Sequence, residues 1–335
     1  MDFAGDGVAA ARLTGQWLGE RRTHSVVEVV AHLLAVQAQD LHGARLAIRA
    51  RADGLVSRDV DAALDSGRVV VTWLNRGTLH LVAAEDYWWL HALTATRTMT
   101  SNARRLRQEG VSPDQAERGI AVAVEAIGSD GPQTRQRLRN RLAAAGIPTA
   151  GQALVHVLMA ASLRGQIVRG PLRDGEQAYA LVQEWLGPPP APLDRDAALH
   201  RLAERYLRGH HPADAGDLAA WAGITLGDAR RGMDLAAGGS RPRDPEARIP
   251  PARLLGPFDP VLHGWPERGW VLGPYRQMVT VNGLFRPVVL VEGRAVGTWR
   301  RPRATVSLDL FESLDPAKLA QVDGEVADVR RFLGP

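Results

Sequence analysis

Two amide side chains, Gln37 and Gln39, stand one small residue apart in Ala35-Val36-Gln37-Ala38-Gln39-Asp40-Leu41-His42, where an apolar run gives way to a polar, turning stretch. An amide has no useful basicity, so such a pair can only orient a water molecule and stabilise developing charge through hydrogen bonds. That suffices for hydrolysis only where the leaving group is already activated. Upstream, Val26, Val27, Val30, Leu33 and Leu34 fall at helical spacing and anchor one face in a core. Side chains two residues apart on a helix point roughly 200° away from each other. The glutamines can therefore converge only if the helix breaks, and the pattern puts that break between Val36 and Leu41. By spacing alone, the simpler reading is a frayed, solvated helix end.

Few other chemistries are available. The chain has no cysteine, which excludes disulfides, thiolate nucleophiles and cysteine-containing zinc sites. Its 10 histidines are scattered, and no His-Glu-x-x-His, Ser-His-Asp, GxGxxG or Walker pattern occurs. No metal and no cofactor is therefore expected. No apolar run reaches the ~18 to 20 residues of a membrane helix, and Met1-Asp2-Phe3-Ala4-Gly5-Asp6 lacks a signal-peptide pattern. The expectation is a soluble cytoplasmic, nucleoid-associated monomer. Of 41 basic residues all but Lys318 are arginine, against 37 acids, for a net charge of +4. Guanidinium forks suit phosphates and guanine edges, although a GC-rich coding sequence would also favour arginine together with Ala, Gly and Pro.

The elements that must position the glutamines repeat. Residues 8–19 read as a helix, and Ser25 with Glu28 forms a capping-box pattern before the second helix. Helices follow at 44–51 and from Ser57. Strands 69–74 and 78–82 then flank Asn75-Arg76-Gly77 as a hairpin. An aromatic-rich helix after Glu85 runs into Arg97, Arg104, Arg105 and Arg107. The same order recurs as helices 114–127, 133–145 and 149–163 with strands 166–169 and 177–181. A stiff linker, Leu186-Gly187-Pro188-Pro189-Pro190-Ala191-Pro192, separates a third helical set whose 212–231 stretch follows a helix-turn-helix pattern. From Ile249 the chain turns β-rich, with Asn282-Gly283 and Glu292-Gly293-Arg294 as turns, before a closing helix 316–333.

The fold class expected is α+β, mainly α: three tandem winged-helix modules, with a small antiparallel β region near the C-terminus. The modules are 1–110, 111–187 and the helical part 188–248, followed by the β-rich part 249–335. Arg76, Arg300 and Arg301 stand where ribbon turns or strand ends would meet phosphate. Asp40 and Asp259 are candidates to support a water or a developing cation, or else are aspartates capping turns.

Val36-Gln37-Ala38-Gln39-Asp40, Thr72-Trp73-Leu74-Asn75-Arg76-Gly77-Thr78-Leu79-His80, Gly256-Pro257-Phe258-Asp259-Pro260 and residues 282–301 together resemble the bacterial winged-helix DNA glycosylases. The likeness spans nearly the whole chain. It is greatest to the branch that unhooks azinomycin interstrand crosslinks and protects an antibiotic producer; other branches carry aspartate in place of the second glutamine. The resemblance implies a concave arrangement of the three winged-helix modules, with Gln37 and Gln39 catalytic at the DNA-facing surface and a hairpin of the C-terminal half entering the duplex. That hairpin is expected within Val261 to Arg276, with His263, Arg276 and Arg45 joining the DNA contacts. The partner implied is double-stranded DNA containing alkylated or crosslinked purines. The reaction implied is monofunctional hydrolysis of the N-glycosidic bond of N7-alkylated purines, whose cationic base departs readily. A tethered base cannot rotate freely from the stack, which favours an open site over a deep pocket. The competing readings are a winged-helix transcriptional regulator without catalysis and a helical interaction scaffold.

Overall fold

Local capping and turn chemistry sets the boundaries of most elements in the computed structural model, which describes residues 3–237, 249–275, 278–279, 285–302 and 305–334. The chain opens with α1 (Phe3–Gly15), α2 (Val26–Leu33), the two-residue strand β1 (Val36–Gln37), α3 (Leu41–Arg49) and α4 (Ser57–Asp65). The hairpin β2 (Val69–Leu74) and β3 (Thr78–Ala83) follows, then α5 (Ala84–Thr94) and α6 (Thr96–Gln108). The next block is α7 (Pro113–Asp130), β4 (Gln133–Thr134), α8 (Arg135–Ala144), α9 (Ala153–Leu163), β5 (Ile167–Arg173) and β6 (Glu176–Leu181), closed by α10 (Val182–Leu186). Helices α11 (Arg195–His210), α12 (Ala215–Ala222) and α13 (Leu226–Ala237) form the third set. The C-terminal part holds β7 (Arg253–Leu255), a 3-10 turn at Pro260–Leu262, α14 (Gly269–Leu272), β8 (Val288–Val291), β9 (Arg294–Arg300), β10 (Ser307–Leu310) and α15 (Pro316–Leu333).

The chain forms two compact units, one of residues 1–60, 199–221 and 225–335, the other of 61–198 and 222–224. In the second unit, β3-β2-β5-β6-β4 lie side by side. Its core gathers Leu106, Ile120, Leu138, Leu142, Leu154, Val157, Leu158 and Ile167, all nearly inaccessible. The β5–β6 turn is Asp174-Gly175 with both φ positive (54° and 80°), the geometry that matches the twist of a hairpin. The first unit carries the antiparallel sheet β10-β9-β8-β7. Its apolar core runs through Leu13, Leu18, Leu255, Leu262, Val271, Met278, Val288 and Leu290.

Three expectations change. The helix from Ser25 does not run to Val36: it ends at Leu33, because Leu34 takes a left-handed conformation (φ 66°). Gln133 is not helical but lies in β4, and Thr134 caps α8 through the Arg137 N–H. Most consequential, residues 261–275 form no hairpin. They are a 3-10 turn, a short helix and loops, because Pro260 and the Asp259 cap start a helical turn and Gly273 (φ 54°) ends α14. Just downstream, Val279 forms an isolated antiparallel bridge to Phe285, and the Arg286 N–H donates to Met278 O at 3.0 Å. The expected Asn282-Gly283 turn lies outside the described residues. Among the described residues no helix is long and apolar enough to cross a membrane.

Candidate functional site

The glutamine element is built by two chain breaks. Ser25 caps α2 with a full capping box, its side chain and that of Glu28 each accepting the other's backbone N–H. Leu34 then stops the helix eight residues after it starts, and Val36–Gln37 run extended. The strand stops at Gln37 and the chain bends at Gln39 and Asp40, and across this break Gln37 Nε2 donates to Gln39 Oε1 at 2.7 Å. Gln37 is 6% exposed, and its Oε1 is buried with no hydrogen-bond partner. Gln39 is exposed. The pair therefore presents one desolvated acceptor beside one accessible amide, and that acceptor is suited to an O–H donor such as water.

Asp40 caps α3, its Oδ1 accepting the His42 N–H at 3.0 Å. The first turn of α3 packs on the Gly256-Pro257-Phe258-Asp259-Pro260 loop. A Cβ at Gly43 would collide with Pro257 O, and one at Gly256 would lie 2.8 Å from Leu46 Cβ. Glycine is required at both places because backbone meets backbone. Desolvation lowers the His42 imidazole pKa. Asp40 pulls it back up, and Arg45 and Arg301 lower it further, which places two guanidinium groups within electrostatic range of the α3 N-terminal turn. Arg45 is half-buried, Arg300 is exposed at the end of β9, and Arg301 donates to Gly334 O at 2.7 Å.

The remaining expected residues separate. Asp259 is fully buried and both its oxygens bind Arg51 (2.8 and 2.9 Å), so it clamps the end of α3 and is not open to a substrate. Arg51 also binds Gln16 Oε1 at 2.9 Å. His263 stands half-buried between Phe258 and Phe285, at ring distances of 5.8 and 4.2 Å. Arg76 is exposed in the β2–β3 turn of the other unit. Arg276 lies outside the described residues. Lys318 pairs with Glu292 (3.1 Å) and Asp315 (3.5 Å), and the Glu292 hydrogen bond raises its pKa, which disfavours an amine nucleophile. Sequence reading overlooked Arg51 and Arg49. Arg49 is fully buried and bonds Asp328, Glu325 and Leu254 O, tying α15 to α3. Their only local signal was a pair of arginines on an apolar helix.

In the second unit α9 is buried along nearly its whole length, with Leu154, Val157, Leu158 and Ala161 inaccessible. It cannot enter a groove. Among the arginines of that block, Arg135, Arg137 and Arg141 are exposed on α8. A cavity of about 260 Å³ lies among Met99, Leu106, Val111, Ile120 and Leu163, an apolar recess between α6 and α7. Among the described residues no cluster of His, Asp or Glu could hold a metal ion.

A family model for AlkZ-like DNA glycosylases matches residues 30–332. The interstrand DNA cross-link repair glycosylase of Streptomyces sahachiroi is 26% identical over 356 residues, covering 98% of this chain and 96% of the relative. The solved structure of Streptomyces sahachiroi DNA glycosylase AlkZ shares the fold at a TM-score of 0.77 and 23% identity, covering 98% of this chain and 96% of that one. The protein is thus an α+β DNA glycosylase, mainly helical with antiparallel sheets. It belongs to the AlkZ-like DNA glycosylase family, and DNA is its substrate.

Proposed function

We propose that this glycosylase is monofunctional, hydrolyses the N-glycosidic bond of N7-alkylated purines in duplex DNA, and unhooks interstrand crosslinks, serving DNA repair and self-resistance to a DNA-alkylating natural product. The observation that carries the reading is the unpartnered, buried Gln37 Oε1 beside Gln39. In the proposed step, a water donates one O–H to Gln37 Oε1 and is held by Gln39. The C1′–N9 bond breaks and its electron pair neutralises the cationic base. The water oxygen bonds to C1′ of the oxocarbenium-like sugar, and the proton passes to solvent. The products are the free alkylated base and an abasic site. The amides need not act as strong bases, because the alkyl group on the purine has already made the base a good leaving group.

The wider architecture supports this reading. The order helix-strand-helix-helix-strand-strand, present as α2-β1-α3-α4-β2-β3 and α7-β4-α8-α9-β5-β6, is that of a winged helix, and α11, α12 and α13 supply the helices of a third. We assign these modules to 1–110, 111–187 and 188–248, with the β-rich part 249–335 after them. Asp40 acts as a cap that fixes Gln39. Arg45, Arg300 and Arg301 contact phosphates on the same unit as the glutamines, and Arg76 contacts them on the other. The segment bridged at Val279 and Phe285 takes the place expected within 261–276 as the element that enters the duplex. The relative named for interstrand cross-link repair is 26% identical over 98% of this chain, which favours crosslinked guanines as substrate. The protein acts as a monomer in the nucleoid.

Incubating the purified protein with methylated duplex DNA should release 7-methylguanine, and a defined crosslinked duplex should be unhooked. A lack of release, together with sequence-specific binding of undamaged DNA, would replace this reading with a regulator.

A further inference from the structure

In the loop that packs on the first turn of α3, Phe258 is a bulky side chain held at φ 59°. That conformation is unfavourable for a non-glycine residue and persists only where its surroundings over-determine it. Both flanks are fixed. Pro257 lies against Gly43 in the first turn of α3, and Asp259 is locked to Arg51 two residues beyond the end of the same helix. A chain pinned at both ends must turn sharply at the residue between, and that residue would be glycine or asparagine if only the turn mattered. A phenyl ring is present instead, packed on the apolar core with its centroid 5.8 Å from His263 and 6.1 Å from Phe285. Phe285 in turn is tilted against His263 at 4.2 Å, lies under the Arg268 guanidinium at 5.3 Å, and forms an antiparallel bridge to Val279.

From this geometry we infer that Phe258 is a positioning residue: its left-handed conformation and ring form a joint that fixes the bridged pair Val279 and Phe285 relative to the α3 turn following Gln37 and Gln39. The inference rests on the proposed glycosylase reading for its consequence in catalysis, but not for the coupling itself. Chemically, a strained aromatic joint transmits position because packed rings have few alternative arrangements. Distortion of DNA by the bridged segment and placement of the water by the amides would then keep one fixed spacing, as rate-limiting alignment requires.

The test uses the full chain with Phe258→Leu, which keeps the strain and much of the volume but loses the ring, and Phe258→Tyr, which keeps both. Single-turnover release of 7-methylguanine should fall about tenfold in Phe258→Leu, while affinity for undamaged duplex stays within about twofold, and Phe258→Tyr should restore the rate. Amide hydrogen exchange should quicken both at residues 278–279 and 285–286 and in the first turn of α3, with α15 unchanged. If exchange quickens only within 257–263, or the rate stays within about twofold of the parent, the inference is overturned. Should the parent release no base, the glycosylase reading fails separately and the exchange pattern still decides the coupling. Should Phe258→Leu unfold, seen as fast exchange in α15, Phe285→Leu takes its place with the same readouts and outcomes.

Discussion

The blocks α2 to β3 and α7 to β6 run through one order of elements, yet they treat the glutamine of their short first strand oppositely. In the second block Gln133 is 3% exposed, and its Nε2 donates to the carbonyls of Asp130 and Gly131 at 3.2 and 3.0 Å. In the first, Gln37 is nearly as buried, but its oxygen has no partner and its nitrogen is spent on Gln39. The lengths differ too. Thr134 caps α8 directly after Gln133, whereas Ala38 and Gln39 separate Gln37 from the Asp40 cap. Satisfying a buried amide makes it a structural tether; leaving its acceptor open costs stability and creates a place for water. A repeated scaffold can thus carry a chemical site in one copy and a packing device in the other.

The largest expected effect tests that contrast directly. Gln37→Ala or Gln39→Ala should lower single-turnover base release by about 100- to 1,000-fold, the scale for losing one preorganised hydrogen-bonding group. Gln133→Ala should leave the rate within about twofold, and equal losses in all three would erase the distinction. Next comes anchoring. Arg51→Gln should destabilise the fold by about 3 to 5 kcal/mol in urea unfolding, because it leaves the Asp259 carboxylate buried and unpaired. The corresponding change at the exposed Arg141–Asp130 pair of the second block should cost under about 1 kcal/mol.

Acid sensitivity should follow the same divide. Burial lowers His32 in α2 and His80 in β3 to about 4 each, with hydrogen bonds to the Gly15 and Thr78 carbonyls opposing it. The unfolded chain, titrating near 6.5, then binds more protons than the folded one between those values. Stability is therefore complete above about pH 6.5 and is lost as pH falls toward 4, by at most about 1.4 kcal/mol per pH unit for each ring. Melting curves from pH 7 to pH 5 should show this slope and should lose part of it in His32→Gln; an unchanged slope would discount the ring. Smallest is the tether itself: Gln133→Ala should cost about 1 kcal/mol, read as a shift in the urea midpoint with unchanged m.

Much of the chain was legible from local chemistry. The Ser25–Glu28 box, Asn75-Arg76-Gly77, Glu292-Gly293 and Asp315-Pro316 all mark real boundaries, because caps and tight turns are decided within three or four residues. The Asp174-Gly175 turn carried the same kind of signal and lengthens β5 and β6 beyond the expected 166–169 and 177–181. The end of α2 was misread because nothing local marks Leu34 for a positive φ. Residues 261–275 form no hairpin because Pro260 and the Asp259 cap start a helical turn and Gly269–Leu272 form a second one.

The sequence alone determined the succession of helices and hairpins, the absence of thiol chemistry, and Gln37 and Gln39 as the residues to watch. Only the tertiary structure decided that a two-residue strand followed by a bend, and not an unwinding helix, brings the two amides together, and that Gln37 is left with an open acceptor. It likewise decided that Asp259 belongs to Arg51, 208 residues away, and that Phe258 is held left-handed against Phe285. The reason is physical: capping and turn preferences act between neighbours along the chain, whereas burial, ion pairing and the satisfaction of a buried polar atom depend on segments that only folding brings together.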